Sequence, residues 1–265
     1  VGTDEIKFLD SSLEGHEESS AILEDITDAV ITGLTDYCRK SGITRIVLGL
    51  SGGIDSAVAA CVACAAVGPS NVLGIAMPSR FSSQHSLDDA QYTAEALGME
   101  FKIEAIDDMH STLESKIGGV LTAGNPVALE NIQSRLRGII VMAHANAENR
   151  MAIATGNKSE LAQGYCTLYG DMAGGYTPLG DLYKMQVYAL AEIFNHRAVQ
   201  EGITPPVNNS TLTKPPSAEL APDQKDEDSL PPYEVLDEIL RLHIEQTKDA
   251  DDIVDAGYNR EMVVD

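Results

Sequence analysis

The chain has 265 residues, room for one large domain or two small ones, and 43% of them are hydrophobic, so a sizeable core can form. Its 41 acidic and 18 basic residues leave a formal charge of −23, which argues against a nucleic-acid-binding surface and against a tRNA substrate in particular. No apolar stretch is long enough to span a membrane, no signal peptide is visible, and reduced thiols fit the cytoplasm.

Residues 1–18 are polar and acidic and read as a linker or arm, with the main domain expected over 19–248. Ile22, Ile26, Ala29, Val30, Leu34 and Tyr37 recur at helical spacing, so residues 20–40 predict a helix, which Gly42 ends. Residues 46–50, IVLGL, predict a buried strand; SGGIDS follows over 51–56, and residues 57–66 are small and apolar, as in a helix packed closely on a sheet. Strand, glycine turn and helix is an arrangement that binds phosphate, because glycine lets the backbone approach an anion and the helix N-terminus points N–H groups at it. The absence of a Lys after the glycines excludes the GxxxxGK[ST] loop. Asp55 would repel phosphate unless a cation lay between them, so it reads as a Mg²⁺ ligand. The plainer alternative is a strand-to-helix turn with a Ser cap. Cys61 and Cys64 form a CxxC, but nothing nearby completes a zinc site, and their spacing places both on one buried helix face.

Further strands are expected over 71–78, 99–106 and 151–155, and further helices over 87–97, from 107 to about 118, over 128–147, over 184–201 and over 232–247. Residues 205–228 form a Pro-rich polar loop, long enough to be a lid. An acidic tail occupies 249–265. Strands alternating with helices imply an α/β fold, a doubly wound parallel sheet with helices on both faces and a helical C-terminal region. In such sheets ligands bind where the strands end, so the turns after residues 50, 78 and 155 can converge on one site.

Beyond the glycine turn, TGNKSE (155–160) offers Thr155 to a nucleotide and Glu160 as a second carboxylate for Mg²⁺. The same residues read equally well as a helix start, with Asn157 capping and Glu160 closing a capping box. YGDMAGGYTPLG (169–180) marks a flexible loop over a site or a tight set of turns, and in KPPSAEL (214–220) two prolines keep Lys214 and Ser217 on an extended backbone, suited to clamping polyphosphate.

SGGIDS resembles the loop of the N-type ATP pyrophosphatases, which cleave ATP between the α and β phosphates. With ALENIQSRLRG (128–138), ATGNKSE, YGDMAGG and KPPSAELAPDQKDEDSLPPYEVLD in order, residues 20–240 look like the synthetase domain of the NAD synthetases, with an adenine nucleotide α-hydrolase-like fold. MPSRFSSQHS and the KPPSAEL–DSLPPYEVLD segment look more like the glutamine-dependent enzyme than the ammonia-using one. The resemblance then implies an N-terminal glutaminase domain that this chain does not include, and the start at Val1 with an acidic lead-in fits a portion of a longer protein.

The resemblance implies that Gly49, Leu50, Ser51, Gly52, Gly53, Ile54, Asp55 and Ser56 wrap the ATP phosphates, with Met77 beside the adenine and Thr155, Lys184 and Ser217 also contacting ATP. Asp55 and Glu160 would hold Mg²⁺, and Asn131, Arg135 and Glu160 would lie near deamido-NAD, with no covalent nucleophile. The implied reaction adenylates the nicotinate carboxylate of deamido-NAD, and ammonia, free or drawn from glutamine, then displaces AMP to give NAD. A homodimer is implied, with no nucleic-acid or membrane partner. Two departures stand out: ammonia-using relatives carry a Lys where this chain has Leu168, and the chain ends at Asp265 before the family's basic C-terminal segment. Competing readings are another N-type pyrophosphatase, such as a GMP synthetase or tRNA-modifying enzyme, which would lack the KPPSAEL and YGDMAGG set, and a non-catalytic nucleotide-binding module.

Overall fold

The computed structural model describes residues 16–122, 127–221 and 224–264; the linker expected over 1–18 falls almost wholly outside them. Helix α1 (His16–Ser41) leads into β1 (Ile46–Gly49), α2 (Ile54–Val67), β2 (Val72–Ala76), α3 (Gln84–Leu97), β3 (Glu100–Ile103), α4 (Asp107–Thr122), α5 (Val127–Glu148) and β4 (Met151–Ala152). The helical remainder comprises α6 (Lys158–Gln163), α7 (Lys184–Gln200), α8 (Asn209–Thr213), α9 (Tyr233–Ile244), α10 (Ala250–Asp255) and α11 (Arg260–Val264).

The strands form a parallel four-stranded sheet in the order β3-β2-β1-β4. Successive residues of a strand face opposite sides, and both sides of this sheet are apolar. Ile46 and Leu48 of β1, with Val72 and Ala76 of β2, meet α1, α2, α3 and α7 on one face. Val47, Leu73 and Ile75 meet Leu113 of α4 and Leu136, Ile140 and Val141 of α5 on the other. Cys61 and Cys64 are buried in the first of these cores, where burial pushes the Cys64 thiol up to about 12, as a packing role requires.

The chain winds outward from β1 through β2 to β3 and returns to place β4 on the free side of β1. The reversal falls between β1 and β4, so a crevice opens at their carboxyl ends. β4 pairs only through Met151 and Ala152, and its line continues as a bridge from Ile153 to Tyr176.

Two expectations need correction. The segment read as an acidic tail is helical: Asp249 caps α10 by accepting from the Asp252 N–H, and Ile253 is buried. Acidic residues at the start of a helix favour its N-terminus, and one apolar side chain suffices to dock so short a piece. The Pro-rich stretch likewise holds α8, capped by Asn208, and a 3-10 turn at Asp226–Asp228.

Near the end of α5, His144 joins Glu104 and Glu148, each at 2.7 Å. Glu148 also accepts from Arg150 Nε at 2.8 Å. The bond to Glu148 holds the His144 ring above its ordinary value, and His144 in turn holds Glu148 down at about 2. His144 therefore contributes stability below about pH 6.5, lost as pH rises through its folded pKa. Glu148 contributes above its ordinary 4.5, lost as pH falls toward about 2. His144→Gln should cost roughly 1 kcal/mol near about pH 6 and far less above about pH 8, read by urea unfolding. An equal cost at both would mean the ring charge plays no part.

Candidate active site

The glycine turn carries the sequence from β1 to α2 through a dense set of hydroxyl bonds. Ser51 N–H donates to Ser56 Oγ at 3.1 Å, and Ser56 Oγ–H to the Gly53 carbonyl at 3.0 Å. Gly53 is the N-cap of α2, with no side-chain cap bond, so no Ser cap forms there. Gly52 has φ +80, and a Cβ there would stand 2.0 Å from the Ser86 carbonyl oxygen at the start of α3. The turn can lie against α3 only because residue 52 is glycine.

Asp55 sits in the first turn of α2. Across the crevice, Asn157 caps α6: its Oδ1 accepts from Glu160 N–H at 3.0 Å while Glu160 Oε2 accepts from Asn157 N–H at 3.2 Å. Glu160 therefore does close a capping box. Its other oxygen is turned inward, where Lys184 Nζ donates to Glu160 Oε1 at 3.2 Å and to Asp55 Oδ2 at 2.6 Å. Asn157 Nδ2 holds the outer oxygen of Asp55 at 2.8 Å. The capping-box reading of TGNKSE is met, and the same Asn157 bonds Asp55, so that one oxygen of each carboxylate reaches Lys184 Nζ.

Lys184 is 2% exposed. Burial alone would lower its pKa, but Asp55 and then Glu160 hold it well above the ordinary value. Burial, and then the Asp55 charge, push the Glu160 carboxyl upward. The ring of Tyr233 lies 5.0 Å from the ammonium.

Asp55, Glu160 and Lys184 line a cavity of about 340 Å³ at the end of the sheet. Residues 49–51 and 53–56, Met77, Thr155, Glu160, Lys184 and Ser217 all face it; Gly52, Asn131 and Arg135 do not. Asn131 Oδ1 instead accepts from Thr167 Oγ1 at 2.7 Å, and Arg135 Nε donates to the Leu168 carbonyl at 3.2 Å. Both hold the residues that lead into the YGDMAGG loop. Ser217 Oγ–H is engaged by the Gln224 carbonyl at 2.5 Å. Lys214 pairs with Asp89 at 2.9 Å, so its ammonium is held on α3.

The glycine-rich loop is a tight set of turns. A Cβ at Gly174 would fall 2.6 Å from the Ala154 nitrogen, and Gly175 N–H donates to the Ala152 carbonyl at 2.8 Å. Its glycines permit close packing on β4 rather than movement. The Pro-rich segment is the better cover. Glu219, at φ +48, accepts from Ser83 Oγ at 2.9 Å and Ser86 Oγ at 2.7 Å, fixing that segment on the start of α3.

Sequence reasoning missed Arg137 and Asp226. Arg137 lines the cavity and donates from Nε to the Met77 carbonyl at 3.0 Å. Burial lowers its pKa, opposed by Glu219 and Asp171. Nothing in the sequence sets it apart from Arg135; only the fold shows that it shares one side of α5 with Ser134, Gly138 and Val141 along the cavity wall. Asp226 is buried; Oδ2 accepts from Tyr233 Oη at 2.9 Å, and Oδ1 has no hydrogen-bond partner among the described residues.

The fold and the position of the cavity place the chain among the open α/β proteins that hold ligands at the switch point of a parallel sheet. Within that class it belongs to the NAD synthase family, whose model matches residues 26–265. A glutamine-dependent NAD(+) synthetase of Rhodobacter capsulatus is 50% identical over 241 residues, covering 89% of this chain and 43% of the relative. The chain spans under half the length of such curated relatives. Among solved structures, a glutamine-dependent NAD+ synthetase from Acinetobacter baumannii, in complex with ADP, matches with TM-score 0.70 and 33% identity, over 96% of this chain and 44% of the other. An NMN synthetase from Francisella tularensis matches with TM-score 0.72 and 31% identity, over 82% and 85%.

Gly52→Ala should lose at least about 2 kcal/mol, whereas Gly53→Ala, at φ −79 with its nearest contact 3.3 Å away, should lose under about 1 kcal/mol. Equal losses in urea unfolding would show that the turn does not depend on its approach to α3.

Proposed function

We propose that this chain carries out the ATP-dependent amidation of deamido-NAD to NAD through an acyl-adenylate, releasing pyrophosphate and AMP. The observation that carries the reading is the convergence of Asp55, Glu160 and Lys184 beside the SGGIDS turn, in a chain 50% identical to a named NAD(+) synthetase.

In the first step the nicotinate carboxylate attacks the α-phosphorus and pyrophosphate leaves. The protein's task is to align two anions and stabilise charge on the leaving group. Residues 49–56 would surround the phosphates, Met77 and Thr155 would contact the nucleoside, and Lys184 and Ser217 would face the triphosphate. Ammonia then attacks the acyl carbon, the bond to AMP breaks, and a proton is lost. The segment fixed on α3 by Glu219 would keep water from the adenylate. Asn131 and Arg135 would meet deamido-NAD where it extends past the cavity along α5.

Mg²⁺ fits the site. Asp55 Oδ2 and Glu160 Oε1 both reach one ammonium, so they can share one small cation. Among the described residues no third side chain completes a ligand set, and phosphate oxygens and water would supply the rest. When bound, its chemistry is charge neutralisation on the polyphosphate.

A nitrilase-like glutaminase domain would supply ammonia in the protein that carries this chain, since its relatives extend well beyond it. A cytoplasmic location belongs to the same reading; among the described residues no helix is long and apolar enough to cross a membrane. Self-association is supported by an apolar face, in which Ile139 of α5, Leu168 just before the glycine-rich loop and Tyr169 within it are 61%, 62% and 84% exposed. Ile139→Glu should convert a dimer to a monomer by light scattering; a parent already monomeric at the same concentration would remove the dimer from the reading.

Pyrophosphate exchange into ATP should depend on deamido-NAD and fall at least about 100-fold in Asp55→Ala and in Lys184→Ala. Normal exchange in Asp55→Ala would sink the assignment. The likeness to an NMN synthetase favours a second reading, nicotinate mononucleotide as the acceptor; faster turnover of that substrate than of deamido-NAD would establish it.

A further inference from the structure

Helix α7 begins at Lys184 without a side-chain cap from Tyr183, and other helices take its first amides. Lys184 N–H donates to Ser159 Oγ of α6 at 2.9 Å, and Met185 N–H to Asp237 Oδ2 of α9 at 2.8 Å. The Ser159 hydroxyl donates in turn to Asp237 Oδ1 at 2.5 Å. Ser159 is wholly buried and Asp237 nearly so. One hydroxyl is therefore bonded at once to the backbone of Lys184 and to a carboxylate of α9, and it belongs to the residue just before Glu160.

Burying a carboxylate among three helices is costly, and that cost is offset here by the Met185 N–H and the Ser159 hydroxyl that it accepts from. What the acid supplies is two acceptors at fixed separation and a negative charge at the start of α7. We propose that Asp237 is a positioning residue for the ATP site: acting through Ser159, it holds the backbone of Lys184 in register with Glu160, so that both side chains and Asp55 meet at one point. The proposal rests on the function proposed above, in which that point faces ATP.

The test compares Asp237→Ala, Asp237→Asn, Ser159→Ala and Leu240→Ala in the full chain. Leu240 of α9 belongs to the apolar cluster that includes Tyr183 and Met185, and its truncation should loosen α9 while leaving the Ser159–Asp237 bonds in place. Three quantities are read below each variant's melting temperature: Mg²⁺-ATP affinity by calorimetry, acetylation of Lys184 by mass spectrometry, and pyrophosphate exchange with varied deamido-NAD. In Asp237→Ala and Ser159→Ala, Mg²⁺-ATP affinity and exchange kcat should each fall about tenfold or more, Lys184 labelling should rise, and KM for deamido-NAD should hold. Asp237→Asn should recover part of the loss, because its carboxamide oxygen can still accept from the Met185 N–H while its NH2 group donates to Ser159 Oγ. Should Asp237→Ala fail to fold, Ser159→Ala carries the same expectation. Parent values in folded Asp237→Ala or Ser159→Ala, or equal losses in Leu240→Ala, would overturn the proposal. Absence of deamido-NAD-dependent exchange in the parent would instead defeat the functional reading, and calorimetry and labelling would still decide the role of Asp237.

Discussion

The buried ammonium of Lys184 is the constraint around which the rest of this structure is arranged. Removing an ammonium from water costs several kcal/mol even after relaxation, and here the side chain is almost fully enclosed. That cost is offset only if Asp55 and Glu160 stay within hydrogen-bond reach. Asp55, Glu160 and Lys184 come from the first turns of three separate helices. The sheet order, the capping box at Asn157 and the approach of Gly52 to α3 all bear on whether those turns can meet.

The topology makes that meeting possible. Because β4 returns to the free side of β1, the SGGIDS and TGNKSE turns become neighbours across the switch point. Asn157 then links them directly, capping α6 with its carbonyl oxygen and donating to Asp55 with its amide nitrogen. A single short side chain thus joins a local rule of helix starts to a long-range contact. Substituting Asp at 157 would keep the cap and remove the donor, leaving a third carboxylate against Asp55.

Much of this was legible in the sequence, and what was not has identifiable causes. The alternating elements, the strand-end turns and the capping box at Asn157 follow from periodicity and from the spacing of capping residues. Lys184 was assigned to the triphosphate, but nothing local shows that its ammonium would lie between two carboxylates, since that depends on how α6 and α7 pack. The glycine-rich loop was open to two interpretations because glycine serves mobility and close approach alike; only the proximity of Gly174 to Ala154 decides between them. Arg137 escaped because Arg135, two positions earlier, bears the same charge, and the side of α5 that meets the cavity is a tertiary fact. The helix at 250–255 escaped because its acidic composition hides one anchoring residue, Ile253.

The charge distribution ties the acidic composition to the proposed chemistry. Within the cavity wall, Lys184 is matched by Asp55 and Glu160, Lys214 by Asp89, and Arg137 by the nearby charges of Glu219 and Asp171. Asp226 adds a further buried carboxyl. Each of these cations is therefore already compensated, and carboxyl groups outnumber basic ones along the wall. A polyphosphate entering such a site gains little from the protein's own cations unless it displaces a carboxylate or arrives with positive charge of its own. In the function proposed above, Asp55 and Glu160, both bonded to Lys184, would receive a divalent cation that arrives bound to the phosphates. On this reading the ammonium of Lys184 keeps the two carboxylates together until the nucleotide arrives, and it is then free to turn toward the phosphates.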